Sequence, residues 1–427
     1  MSNNPSTNYK LTEIGLLPDD WGVKRVGELF VESNRRKGHD DYPILSVTKD
    51  GIVLQSEHFN RRIASKDDKQ YKVVDRGHLV VSSLNLHLGG IDVQTLVNAG
   101  VVSPAYFVFK KASDDLDLSF AKYVVRSEKY IKICESVTQV GASVVRRSTS
   151  KEGFKNLGFP VPDIREQRKI VSILSSVDEV ITKTIAIIEQ TERVKKGLMQ
   201  QLLTKGIGHT KFKNTVLGMT PEGWEVAALK SIARKVTDGT HQSPKFTEEG
   251  IPFLLVSNIV KGFINWETEK FISNETYLEL TKNRQVEKGD ILYSAVGSYG
   301  VAVVVDIERE FSFQRHIAWV KPLVEKVDSH YLAYVLNSGI GKKQADSVAV
   351  GNAQKTITLD SLSKFLIPLP SLTEQKEIVD VLWSFDKKLR IENRKLLSLK
   401  MIKQGLMQSL LTGKVRVKVD KNEVGQV

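Results

Sequence analysis

The stretch "KKGLMQQLLTKG" (Lys195–Gly206) is repeated near the end of the chain as "IKQGLMQSLLTGK" (Ile402–Lys414). Extending this alignment toward the N-terminus keeps one offset of 208 without a gap. Residues 160–204 then face residues 368–412, and 17 of the 45 aligned residues are identical. Each copy opens with P-x-P and continues through "EQRKIV" or "EQKEIV". The chain therefore contains an internal duplication.

Both copies carry the pattern of a coiled-coil helix. Their apolar residues recur at alternating steps of four and three, which places them on one seam. Pro162 and Pro370 precede the seams, and Gly206 and Gly413 follow them as helix stops. We therefore predict two long helices, antiparallel to each other. The main seam residues are Ile170, Leu174, Ile181, Ile188, Leu198 and Leu202 in the first copy and Ile378, Leu382, Leu389, Leu396, Leu406 and Leu410 in the second.

A looser repeat precedes each helix. "GLLPDDW", ending at Trp21, pairs with "GMTPEGW", ending at Trp224, and "VVDRGHLVVS" (residues 73–82) resembles "QVEKGDILYS" (residues 285–294). The offset drifts from 203 to 212 between these two pairs, which indicates insertions and deletions within the blocks. Both tryptophans are expected to be packing anchors.

Each block is rich in β-branched and aromatic runs that predict strands, interrupted by helical patches. We expect an α/β (mixed α+β) protein in which two long antiparallel coiled-coil helices separate two globular domains, with a pseudo-twofold internal repeat. The predicted boundaries are 1–158 for the first domain, 159–208 for the first helix, 209–366 for the second domain, and 367–427 for the second helix and the tail.

The charge balance favours a polyanionic partner. The chain has 62 Lys and Arg against 50 Asp and Glu, a formal net charge of +12. An excess of this kind favours nucleic acid through phosphate neutralisation. No apolar run approaches the roughly 18 residues that span a bilayer, no signal peptide is evident, and a single cysteine excludes an internal disulfide. We expect a cytoplasmic protein with no membrane partner.

The motifs of common catalytic sites are missing from the sequence. There is no phosphate-binding G-x-x-x-x-G-K-[ST] loop, no G-x-S-x-G elbow, and no pair of Cys or His residues at zinc spacing. We therefore predict no catalytic residue, no metal site and no cofactor in this chain. Two alternatives stay open: a nuclease or other DNA enzyme with an unrecognised active site, and a coiled-coil scaffold that binds only protein.

Taken together, these motifs resemble the specificity (S) subunit of type I restriction-modification systems. The resemblance covers residues 15–413 and rests on the two P-x-x-W openings and the duplicated "EQ-x-x-IV" and "GLMQ-x-LLT" ends. It also rests on "DGTH" (Asp238–His241) and "KGDILYS" (Lys288–Ser294). It implies a non-catalytic subunit whose two target recognition domains each read one half of a bipartite site in double-stranded DNA.

The same resemblance implies the partners. The helices would space the domains and dock two methyltransferase subunits through the seam residues named above. A restriction/translocase subunit would join them. S-adenosylmethionine, ATP and Mg²⁺ are expected on these partner subunits and not on this chain.

Polar and basic residues of the two blocks are the candidate DNA contacts, because arginine and lysine bind phosphates and guanine, and amides and hydroxyls bind base edges. The first block departs from the family pattern, as expected if the two blocks read different sequences. Its candidates are Arg35, Arg36, Lys37, Arg61, Arg62, Lys66, Lys69, Arg146 and Arg147. In the second block they are Thr240, His241, Gln242, Lys245, Ser298, Tyr299, Arg315, Gln354 and Lys355.

Overall fold

The computed structural model describes residues 8–59, 68–140, 147–282, 285–351 and 354–418. The chain forms two compact units. Unit 1 comprises Met1–Ile185 and Arg394–Val427, and unit 2 comprises Ala186–Asn393. Each unit therefore contains one strand-rich block, the start of one long helix and the end of the other. The block boundaries proposed from the sequence remain predictions.

Unit 1 mixes short strands with short helices. Its strands are β1 (Tyr9–Thr12), β2 (Gly15–Pro18), β3 (Gly22–Arg25), β4 (Phe30–Glu32), β5 (Leu45–Thr48), β6 (Gly51–Leu54), β7 (Lys72–Asp75), β8 (Leu79–Ser82), β9 (Ile91–Val93), β10 (Ala99–Val102), β11 (Tyr106–Lys111), β12 (Thr138–Val140), β13 (Arg147–Thr149) and β14 (Gly158–Val161). Its helices are α1 (Val26–Leu29), α2 (Gln55–His58), α3 (Leu118–Arg126), α4 (Glu128–Glu135), α5 (Lys151–Lys155) and the first part of α6 (Ile164–Lys205).

Unit 2 has a related but shorter series of strands. Its strands are β15 (Phe212–Thr215), β16 (Gly218–Pro221), β17 (Glu225–Ala228), β18 (Ala233–Asp238), β19 (Ile251–Leu254), β20 (Phe271–Ile272), β21 (Ile291–Ser294), β22 (Ala302–Val304), β23 (Ser312–Phe313), β24 (Ile317–Pro322) and β25 (Leu366–Leu369). Its helices are α7 (Leu229–Ile232), α8 (Asn274–Thr281), α9 (Ser329–Asn337), α10 (Gly339–Val348), α11 (Leu359–Ser363) and the first part of α12 (Leu372–Leu410).

The central sheet of both units has the same topology. Four antiparallel strands lie in the order β4-β11-β8-β9 in unit 1 and β18-β24-β21-β22 in unit 2. A smaller antiparallel pair follows in each, β3 with β14 and β17 with β25. The structure thus confirms the mixed α/β class and the internal repeat predicted from the sequence.

The seam residues of the two long helices are buried or half-buried. Ile170, Leu174 and Leu410 belong to the core of unit 1, and Ile378 and Leu382 belong to the core of unit 2. Of the other predicted seam residues, Ile188 is buried, whereas Ile181, Leu198, Leu202, Leu389, Leu396 and Leu406 are half-buried. The long helices are therefore part of the two cores. Burial of their apolar stripe stabilises them more than helix propensity does.

A buried carboxylate joins three segments of unit 1. Trp21, which is 1% exposed, donates its indole N–H to Glu166 Oε2 at 3.1 Å in the first turn of α6. Arg416, just beyond the end of α12, donates to both oxygens of Glu166 at 2.9 and 3.0 Å and also pairs with Asp20. A buried carboxylate is stable only when such donors surround it. The N-terminal and C-terminal segments of the chain therefore meet at this carboxylate.

The corresponding carboxylate of unit 2 is held by different donors. Trp224 donates its indole N–H to Glu374 Oε2 at 3.0 Å in the first turn of α12. Beyond the end of α6, the Ile207 N–H donates to Glu374 Oε1 at 3.0 Å, and His209 Nε2 lies 2.8 Å from the same oxygen. Both units thus close the same junction between the block, the start of one long helix and the segment after the other.

The glutamine that follows each of these glutamates fixes the block to its helix. In unit 1, fully buried Gln167 accepts from the Asp117 N–H at 2.8 Å and donates to the Pro162 carbonyl at 2.9 Å. In unit 2, Gln375 accepts from the Asp328 N–H at 2.8 Å and donates to the Pro370 carbonyl at 2.9 Å. The duplicated "EQ" is therefore a structural motif.

An ion pair in unit 1 places the start of α6 beside the end of α12. Lys403 Nζ lies 2.6 Å from Asp178 Oδ1, and the Tyr123 hydroxyl donates to Asp178 Oδ2 at 2.7 Å. Burial, together with this hydrogen bond, raises the pKa of Tyr123. The two helices are therefore antiparallel here, as the sequence predicts.

The same triad recurs in unit 2, at the end of α6 and the start of α12. Lys195 Nζ lies 2.5 Å from Asp386 Oδ1, and the Tyr334 hydroxyl donates to Asp386 Oδ2 at 2.6 Å. Lysine at a seam position is thus paired and does not weaken the seam. Because each lysine must reach one particular carboxylate on the other helix, the triads set the register of the helices in each unit.

A glycine substitution tests how tightly the junction of unit 2 is packed. Gly206 and Gly208 both have positive φ, +66° and +72°. A Cβ on Gly206 would lie 2.7 Å from the Trp224 ring, whereas one on Gly208 would meet no atom within 4 Å. Gly208→Ala should cost about 1–2 kcal/mol of unfolding free energy through backbone strain alone. Gly206→Ala should cost a further ~1–3 kcal/mol through overpacking.

Urea unfolding of both variants, followed by tryptophan fluorescence, measures this difference. Equal losses of stability in Gly206→Ala and Gly208→Ala would contradict the tight junction.

Candidate nucleic-acid interface

One edge of the unit 2 sheet collects several loops. β18 and β21 end there, and β22 and β24 begin there, because Ser294 pairs with Ile317 in an antiparallel ladder. The loops 239–245, 295–301 and 314–316 therefore leave the sheet side by side. We call these loops, with the segment 354–357, the loop edge of unit 2.

Backbone hydrogen bonds hold these loops together. The Thr240 N–H donates to the Phe313 carbonyl at 3.1 Å, and the Arg315 N–H donates to the Thr240 carbonyl at 3.0 Å. The Ala295 N–H donates to the His316 carbonyl at 3.0 Å. The three loops thus form one connected surface.

The segment after α10 joins the same surface. The Ile357 N–H donates to the Ala295 carbonyl at 2.8 Å, and the Gly297 N–H donates to the Lys355 carbonyl at 2.9 Å. Gln354 lies so close that a Cβ on Gly297 would be 3.2 Å from its Nε2. Residues 58 and 62 positions apart in the sequence are therefore neighbours at this edge.

All second-block candidates lie at the loop edge of unit 2. The side chains of His241, Gln242, Lys245, Ser298, Arg315, Gln354 and Lys355 are exposed, and those of Thr240 and Tyr299 are half-buried. Exposed amides, hydroxyls and cations on one edge are the groups that bind base edges and phosphates. Their contact with DNA remains a prediction.

Two of these candidates also contact carboxylates inside the unit. The Tyr299 hydroxyl donates to Asp346 Oδ1 at 2.8 Å, and Lys342 lies 2.8 Å from the same oxygen. Lys342 and then Tyr299 hold the pKa of Asp346 below its usual value, and the hydrogen bond raises the pKa of Tyr299. His241 Nε2 lies 3.0 Å from Asp238 Oδ2. Tyr299 therefore has a structural role at the edge.

Unit 1 has the corresponding edge. β4 and β8 end there, and β9 and β11 begin there, with Ser82 paired to Tyr106. The loops 33–44, 83–90 and 103–105 leave the sheet at this place. With β13 they form the loop edge of unit 1.

β13 is attached to this edge by its backbone. The Thr149 N–H donates to the Ser83 carbonyl at 2.8 Å, and the Arg147 N–H donates to the Leu84 carbonyl at 3.3 Å. Arg147 therefore lies at the loop edge, as do Arg35, Arg36 and Lys37 in the loop 33–44.

The first basic cluster is mostly paired within unit 1. Arg35 contacts both oxygens of Asp75 at 3.2 Å. Lys37 lies 2.7 Å from Asp68, with side chains only 13% and 14% exposed, so this pair is structural. Arg36 is exposed and donates to a backbone carbonyl at 2.7 Å. Arg36 is therefore the member of the cluster best placed to meet a ligand, and a DNA role for all three remains a prediction.

Of the remaining first-block candidates, the structure describes Lys69. The Lys69 carbonyl accepts a hydrogen bond from the backbone beside Lys37. Arg61, Arg62, Lys66 and Arg146 lie outside the described residues.

Three residues near this edge were missed by the sequence analysis. Lys72 forms a β-bridge with Arg36, and burial, reinforced by Arg36, lowers its pKa. Asn85 is exposed and His87 half-buried in the 3₁₀ turn region that follows β8. The offset of 212 that aligns Ser82 with Ser294 was the available signal, since it sets residues 83–90 opposite residues 295–301.

Two further features are absent from the described parts of the chain. No group of three or more His, Cys, Asp or Glu residues there is arranged to hold a metal ion. Likewise, no helix in these parts is long and apolar enough to cross a membrane.

The chain is similar to known proteins in both of its blocks. The family model for the type I restriction modification DNA specificity domain matches residues 18–193 and 221–401. The type I restriction enzyme MjaVIII specificity subunit of Methanocaldococcus jannaschii is 28% identical over 423 residues, 96% of each chain. The EcoBI specificity subunit of Escherichia coli is 26% identical over 253 residues, 56% of this chain and 53% of that protein.

Solved structures share the fold. The S subunit of a type I restriction-modification system from M. genitalium aligns with a TM-score of 0.55 at 15% identity, over 96% of this chain and 98% of that one. A chain of another solved type I R-M system aligns with a TM-score of 0.56 at 18% identity, over 93% and 99%.

Proposed function

The chain belongs to the type I restriction-modification DNA specificity family as a DNA sequence-specificity subunit with two recognition domains, and we propose that each domain reads one half of a bipartite site. The observation that carries this proposal is the loop edge, which occurs once in each unit on the same four-stranded topology. The side chains at the two edges differ, so the two halves of the site differ in sequence.

The long helices connect the two readers. Because α6 and α12 each run from one unit into the other, we propose that they set the length of the unread gap between the half-sites. The duplicated ion-pair triads would fix the helix register and, through it, the gap.

The same helices would dock two methyltransferase subunits. The seam residues are buried or half-buried, so docking needs exposed positions. Val194 and Ile402 are 44% and 52% exposed, respectively, and occupy the same place in the duplication, 208 residues apart. Equivalent exposed apolar side chains suit two copies of one partner.

The chemistry would reside on the partners. We propose that this chain neither methylates nor cleaves DNA. The methyltransferase subunits would supply S-adenosylmethionine, and a restriction/translocase subunit would use ATP and Mg²⁺. The complex would act on double-stranded DNA in the cytoplasm.

Exchange of one domain tests the modular reading. Replacing residues 218–366 with the matching block of another family member should change one half of the methylated sequence, because the loop edge of unit 2 reads that half alone. Base-resolution sequencing of methylated DNA measures the result. If both halves changed, or neither did, the division of reading between the units would be wrong.

Charge substitutions test the docking positions. Val194→Asp and Ile402→Asp should each remove one methyltransferase subunit from the complex, and the double variant should remove both, because a carboxylate cannot be buried there unpaired. Native mass spectrometry counts the subunits.

Val216→Asp is the matched control, since Val216 is 79% exposed on a hairpin outside the long helices. Two methyltransferase subunits retained by the double variant would refute these docking positions.

A further inference from the structure

The two loop edges share one basic residue at the same backbone position. In unit 1 the Thr149 N–H donates to Ser83, the first residue after β8, and Arg147 lies two residues earlier. In unit 2 the Ile357 N–H donates to Ala295, the first residue after β21, and Lys355 lies two residues earlier. Both of these hydrogen bonds are 2.8 Å long. Arg147 and Lys355 are therefore equivalent, and they are 208 residues apart, the offset of the long helices.

A second contact places each basic residue against the corresponding loop. The Arg147 N–H donates to Leu84, and the Lys355 carbonyl accepts from Gly297, so each basic residue is bonded to the loop that follows the central strand. The two contacts use opposite backbone groups, but both place the basic residue against that loop.

Neither cationic group is neutralised by a described residue of its own unit. Within the described residues, no salt bridge or side-chain hydrogen bond engages the Arg147 guanidinium or the Lys355 ammonium, and the Arg147 Nε is buried without a partner. Lys355 helps to lower the pKa of Asp346, but that carboxylate is already bound by Lys342 and Tyr299. Both charges are thus available to an outside anion.

The neighbouring side chains are not shared. Beside Arg147 the loop carries Asn85 and His87, whereas beside Lys355 it carries Ser298 and Tyr299. The DNA segments bound by the two surfaces differ in base sequence but share the phosphate backbone. That backbone carries no sequence information. A cation kept at the same point of both surfaces matches that common feature.

We propose that Arg147 and Lys355 are the phosphate anchors of the two recognition domains, which set each loop edge against the duplex while the unshared loop residues read the bases. This inference rests on the proposed DNA-reading function. It excludes a direct guanine contact for Arg147, the other chemistry open to an arginine at a DNA surface.

The experiment measures DNA binding of the assembled methyltransferase complex by fluorescence anisotropy over a range of KCl concentrations. One probe is a duplex that contains the sequence methylated by the complex, and the other is a duplex with that sequence scrambled. Arg147→Ala and Lys355→Ala should each weaken binding to both duplexes by the same factor. Each should also reduce the slope of log K against log[KCl] by about 0.9, the value for one phosphate contact. The double variant should lose about 1.8.

Conservative variants and controls complete the design. Arg147→Lys and Lys355→Arg should restore the slope, because a phosphate accepts either cation. Lys111→Ala and Lys230→Ala remove the same charge at the opposite end of the sheets and should leave the slope within error. His87→Ala should keep the slope and relax one half of the methylated sequence.

Two results would overturn the proposal. One is a changed methylated sequence in Arg147→Ala or Lys355→Ala, which would make that residue a base reader. The other is an unchanged slope in a variant that still folds, as judged by its melting temperature. If the unaltered complex bound the duplex with the target sequence no more tightly than the scrambled duplex, the proposed function itself would fail.

Discussion

The structure depends on a carboxylate at the first turn of each long helix, which is buried in Glu166 and half-buried in Glu374. Glu166 and Glu374 each accept an indole N–H, from Trp21 and Trp224, and each also binds the segment that follows the other long helix. A carboxylate removed from water needs such donors, and it therefore binds the start of the block, one helix and the end of the other together. Unit 1 uses the guanidinium of Arg416 for this purpose, and unit 2 uses a backbone N–H and an imidazole.

The frame could be predicted from the sequence because its signal is regular. A rigid offset of 208 predicted both helices. Gly206 directly follows the helix end at Lys205, and Gly413 lies three residues beyond the helix end at Leu410. The role of "EQ" could not be predicted, since its partners, such as the Asp117 N–H, are distant backbone groups. A repeat can be seen in the linear sequence, whereas the partners of a hydrogen bond are brought together only in the folded chain.

The loops at the edge of unit 2 were predicted from the sequence more fully than those of unit 1, and the reason is physical. In unit 2 the polar loops were recognised, and the sheet brings them to one edge. In unit 1 the basic clusters were predicted to contact DNA, although Lys37 is paired with Asp68 inside the fold. Counting charges does not reveal which are neutralised within the protein. The less basic loop 83–90, at the topologically equivalent edge, was overlooked.

The central claim is that one frame carries two different readers, and a methylation map tests it most directly. Host DNA would be sequenced at base resolution from cells that express this chain with its partner subunits. The account predicts one motif with two specified segments of different sequence, separated by a gap of constant length and unspecified bases. A single continuous motif, or two identical half-sites, would contradict it.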